Sequence, residues 1–157
     1  MELIRVRRWE VEVDAAETAR VQAARDSGSP ESCGCLHCRN FVAARHLAYP
    51  PEAIRLLKSL GVPENRESEL YHCGEVEPGV HFYGGWFPFV GRIASGPEVL
   101  SGGPSGGAIE LEEISNRFSI GFSRRTALVP GPFPADGVGQ LEFSAHVPWV
   151  LSEQYLG

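Results

Sequence analysis

Three of the four cysteines of the chain fall within the six residues Cys33-Gly34-Cys35-Leu36-His37-Cys38, and the fourth lies in Tyr71-His72-Cys73-Gly74. Thiolates brought together in this way serve either as soft metal ligands or as a thiol–disulfide couple. Around a tetrahedral zinc with Zn–S near 2.3 Å, neighbouring sulfurs stand about 3.8 Å apart. The spacing C-x-C-x-x-C is compatible with that. Gly34 lets the backbone bend so that Cys33 and Cys35 project to one side, and Cys35 and Cys38, three apart at a helix start, share a face. A helix N-terminus also favours thiolate over thiol. Cys33, Cys35 and Cys38 are therefore expected to hold one zinc ion. Cys73 is the leading fourth ligand, with His37, His72 and His46 as substitutes.

Two other readings compete. In one, the thiols are small, partly buried hydrophobes without metal, a common role for free cysteine. Alternatively a redox couple rests on Cys33-Gly34-Cys35 and on Cys35–Cys38, the latter a C-x-x-C at a helix start, where the leading thiol is acidified. Against the redox reading, no βαβ pattern leads into the segment, and a third cysteine invites non-productive pairing.

Other constellations carry less. His72, Cys73, Glu75, Glu77 and His81 surround one expected hairpin, where Glu75 would suit a metal-bound water as base, but no H-E-x-x-H or comparable motif accompanies them. Strict alternation would place Tyr71, Cys73 and Glu75 on one face and His72 on the other. Gly102-Gly103-Pro104-Ser105-Gly106-Gly107 lacks the lysine and hydroxyl of a phosphate-binding loop. No serine sits in G-x-S-x-G.

The elements that position these residues can be read in outline. With 157 residues, the chain is long enough for one domain, spanning 1–157, with a core of its own. Ile4 and Val6 alternate with charged neighbours, and Trp9, Val11 and Val13 continue one residue out of phase, so residues 3–13 read as a strand with a bulge or bend. Asp14 caps a short alanine-rich helix, and Arg25 to Pro30 read as loop. A helix runs from about Leu36 to Tyr49, ended by Pro50-Pro51. A second opens at Pro51, carries Ala53, Ile54, Leu57 and Leu60 as its apolar stripe, and stops at Gly61. Glu77-Pro78-Gly79-Val80 reads as a type II turn joining strands near 69–76 and 80–94. Residues 95–107 read as a glycine-rich loop, and Ile109 and Leu111 lead into a hairpin turning at Asn116-Arg117. Leu141, Phe143, Ala145 and Val147 form a last strand, and Pro148 to Leu151 a docking tail. The fold class that follows is α+β: a mostly antiparallel, curled or sandwich-like sheet with a two-helix unit after the first strand.

Composition bounds the partners. A formal net charge of −6 argues against general nucleic-acid binding, which needs a basic surface. No run approaches the ~18 apolar residues of a membrane span, and the N-terminus carries no signal-peptide pattern. A cytoplasmic location is expected, and in a reducing compartment clustered cysteines point to metal or catalytic thiols rather than a disulfide framework.

The pattern C-x-C-x-x-C followed by Asn40 and Phe41, a helix ending at Leu60-Gly61, and the strand bearing Tyr83, Gly85, Trp86 and Gly91 resembles an uncharacterised family of small bacterial proteins. Gln140-Leu141-Glu142-Phe143 leading to Pro148-Trp149-Val150-Leu151 adds to the likeness. The resemblance covers most of the chain from about residue 30 and implies the element order and the cysteine cluster, but no activity. The function expected is a zinc-stabilised binding or interaction module, non-enzymatic, acting on a protein or small-molecule partner. The alternative is a thiol-redox enzyme using the same cluster.

Overall fold

The structure, a computed structural model, describes residues 1–98, 111–126 and 129–156. The order of elements is β1 (Glu2–Val6), β2 (Trp9–Val13), α1 (Ala15–Ala23), α2 (Ser29–Cys33), α3 (Leu36–Ala48), α4 (Pro51–Leu60), β3 (Glu69–Glu77), β4 (Val80–Ser95), β5 (Glu112–Ser115), β6 (Phe118–Ser123) and β7 (Val138–Pro148). The fold is α+β, and all strand pairings are antiparallel in the order β1-β2-β4-β7-β6-β5, with β3 also paired to β4.

The long strand β4 organises the sheet. One of its edges pairs along its length with β7, while the other pairs first with β3 and then with β2. The sheet curls without closing. Its ends are bridged by side chains: the Arg7 guanidinium donates to the Ile114 carbonyl at 2.8 Å, and Arg8 reaches Glu112 at 2.8 Å.

One face of the sheet carries Tyr83, Phe87, Phe143, Ala145, Val147, Phe118 and Ile120, and packs on Phe41, Ala44, Tyr49, Leu57 and Leu60 of the helical side. Tyr49 makes edge contacts with Phe118 and Phe143 at 5.7 and 5.4 Å, so one ring ties the end of α3 to two strands. Full burial of a ring such as Phe41 is worth about 1.5–3 kcal/mol.

The α3–α4 pair matches the sequence reading, with Pro51 opening α4 and Gly61 closing it in left-handed geometry. The first strand differs. The phase slip at Arg7-Arg8 is a hairpin turn, with Arg7 at φ 52, and it separates β1 from β2. A turn reverses the chain and lets Ile4 pair with Val11, so both apolar sets meet the core, and β2 also shifts register between Glu10 and Val11 where it pairs with β4. The segment read as loop, Arg25 to Pro30, ends inside α2, which begins at Ser29 and holds Pro30 in its first turn. Most of the expected glycine-rich loop at 95–107, and Ile109 at the start of the expected hairpin, lie outside the described residues.

Candidate metal centre

Cys33 ends α2, and Cys35 is the residue from which α3 begins. Between them Gly34 stands at φ 67, a conformation that costs a residue with a side chain about 1–2 kcal/mol. That turn points the end of one helix at the start of the next. The sulfurs of Cys33, Cys35 and Cys38 lie within 4.8 Å of one another. Contraction by about an ångström would give the ~3.8 Å separations of a tetrahedral zinc site.

Burial grades across the trio from exposed Cys33 to buried Cys38. The Cys35 backbone N–H, then the neighbouring Cys35 and Cys38 thiols, hold the Cys33 pKa below the ordinary thiol value. Burial, followed by the neighbouring sulfurs, drives the Cys38 thiol well above it. A bound cation would reverse that penalty, because metal ligation deprotonates a thiol outright.

An imidazole adjoins the cluster at Cys35. His37 Nε2 lies 3.3 Å from Cys35 Sγ. The His37 ring stacks on His72 at 4.9 Å and 12°, and the Tyr83 hydroxyl donates to the His37 carbonyl at 2.7 Å. Behind it, His72 Nε2 and His81 Nδ1 are 2.8 Å apart. Burial, then the charges of His37 and His81, lowers the His72 pKa to about 4, keeping that ring neutral at ordinary pH.

Cys73 does not join this group. Its neighbour His72 turns inward against Tyr83 and His81, so Cys73 takes the opposite face of β3 beside Tyr71 and Phe82. Alternation along a strand accounts for the separation. The expected placement of Glu75 is also corrected. His72 pairs with Tyr83 and Glu75 with His81, so β3 carries an extra residue at Cys73-Gly74. This bulge brings Glu75 to the histidine face, its carboxylate 3.7 Å from His81 Nε2. Among the described residues, the donor atoms that all lie within 4.8 Å of one another are the three sulfurs, and none of His37, His72 and His46 is in that group.

Three residues that hold the site, Asn40, Arg45 and Glu67, were given no positioning role by the reading of residue types. Buried Asn40 donates to the Pro148 carbonyl at 3.2 Å and accepts from the Val150 N–H at 2.8 Å, fastening α3 to the C-terminal segment. Arg45 grips Glu67 through two bonds of 3.1 and 2.8 Å and Glu31 through two more of 2.8 and 2.9 Å. It thereby ties α2 and α3 to the segment entering β3. Asn40 had a sequence signal, its place just after the last clustered cysteine; Glu67 had none.

No family model, curated protein or solved structure matches the chain. Among the described residues, no helix is long and apolar enough to cross a membrane.

Proposed function

We propose that the chain is a zinc-stabilised binding module of the bacterial cytoplasm, in which Cys33, Cys35, Cys38 and His37 hold the metal. The ion fastens the α2–α3 corner, and a sheet supplies the surface for a protein or small-molecule partner. One observation carries the reading: three sulfurs within 4.8 Å of one another at a helix junction, with an imidazole nitrogen 3.3 Å from one of them. Three thiolates and one imidazole make a closed structural zinc set, with no position left for substrate. His37 takes the place that Cys73 was expected to fill, because Cys73 faces away.

The competing reading is a thiol-redox enzyme, supported by the exposed, acidified Cys33 beside Cys35. Buried Cys38, with its raised pKa, is a poor attacking thiol at neutral pH. Elemental analysis of protein purified under reductant separates the two. One equivalent of zinc, and a large drop in melting temperature on chelation, support the module. Metal-free protein with rapid alkylation at Cys33 and an unchanged melt would replace it with the redox enzyme.

A further inference from the structure

The face of the sheet turned away from the helices carries a cavity of about 480 Å³, within the range of small-molecule sites. Strand register lays its polar groups in one row. Tyr71 pairs with Gly84, Gly84 with Ser144, Ser144 with Ser119 and Ser119 with Glu113. The row crosses β3, β4, β7, β6 and β5, with neighbouring strands about 4.8 Å apart. Gly84 is needed in it: a Cβ there would stand 2.3 Å from the Tyr71 ring, which lies across the strand.

Among the described residues, the hydroxyls of Tyr71, Ser144 and Ser119 and the carboxylate of Glu113 have no hydrogen-bond partner. Two residues along, Phe82 and His146 form an aromatic wall, their rings 5.2 Å apart. Arg117, at the end of that wall, is ion-paired with Glu77.

These groups select a ligand class. Among the described lining residues Arg117 is already paired with Glu77, and Glu113 repels an anion. A wholly apolar ligand would strip water from three hydroxyls and a carboxylate and return no hydrogen bonds, a costly exchange. A polyhydroxylated ring answers both rows: its hydroxyls donate to Glu113 and exchange bonds with the serines and Tyr71, while its C–H face lies on Phe82. We propose that this groove binds a saccharide. The site shares no residue with the cysteine cluster and stands whether or not that cluster holds zinc.

The test is a ¹H–¹⁵N NMR titration of the full-length protein, as purified with its metal content measured separately. The probes are methyl β-D-glucoside, methyl α-D-mannoside and N-acetylglucosamine at millimolar concentration, with phenethylamine as a cationic aromatic control. At least one sugar is expected to shift the amides of Ser119, Ser144 and Phe82 saturably. Ser119→Ala with Ser144→Ala, confirmed folded by its melt, should bind that sugar roughly tenfold more weakly, and Glu113→Gln should also weaken it. Absence of shifts with all three sugars, shifts outside the groove, undiminished affinity in the folded double variant, or a response to the amine alone would overturn the proposal.

Discussion

His37 Nε2 stands 3.3 Å from Cys35 Sγ across the first turn of α3, while Cys73 lies on the far face of β3. The proposed ligand set has three sulfurs and one nitrogen. Cobalt-substituted protein should show the ligand-field and thiolate charge-transfer bands of that set. His37→Ala should lower metal affinity at least tenfold in a chelator competition, and Cys73→Ser should leave both spectrum and affinity unchanged. A loss of affinity in Cys73→Ser alone would return the fourth position to Cys73.

Gly34 joins the two halves of the cluster in left-handed geometry at φ 67. Replacement by alanine should cost about 1–2 kcal/mol and weaken metal binding, whereas Gly34→Asn, which tolerates that conformation better, should cost less. Thermal melts with and without chelator read the difference. Equal effects of the two substitutions would show that the turn does not set the sulfur geometry.

Glu67 is fully buried, with Arg45 on one side and the Tyr49 hydroxyl donating at 2.6 Å on the other. Removing the guanidinium strands that carboxylate away from water. Arg45→Met is expected to destabilise by about 3–5 kcal/mol, and Arg45→Met with Glu67→Leu to recover much of the loss, since an apolar pair carries no unpaired charge. Denaturant unfolding of the two variants checks this.

Burial, with the charge of Glu98 adding to it, raises the Glu142 carboxyl to about 7 against the hydrogen bond from Gln140. A raised acid binds its proton in the folded state and has lost it in the unfolded chain between the two pKa values. Stability from this group is therefore full below about pH 4.5 and falls as pH rises towards 7, by on the order of 2–3 kcal/mol. The difference in unfolding free energy between Glu142→Gln and the parent protein should grow in the variant's favour over that window. A difference that stays flat with pH would mean the carboxyl is not held neutral.

Asn40 joins α3 to the segment after β7 through Pro148 and Val150. Asn40→Ala should cost about 1–3 kcal/mol and speed hydrogen exchange in residues 149–156. Trp149 emission should shift red as its contact with His81, at a ring separation of 4.7 Å, loosens.

Local chemistry was enough to place much of this protein. Proline and glycine bracket α4, Pro78-Gly79 turns β3 into β4, Asp14 caps α1, and the clustering of Cys33, Cys35 and Cys38 is written in their spacing. Each of these depends on φ preferences or on neighbours a few residues apart, which a sequence states directly. What the tertiary structure decided depends on partners far along the chain. The slip at Arg7-Arg8 became a hairpin because two apolar strands could pair over one core. The bulge at Cys73-Gly74 moved Glu75 to the histidine side and left Cys73 on the other. The row from Tyr71 to Glu113 exists only through the register of five strands. A side chain's face is fixed by pairing parity, and one inserted residue reverses it, so residue types alone could not place Glu75 beside His81 or lay out the row across five strands.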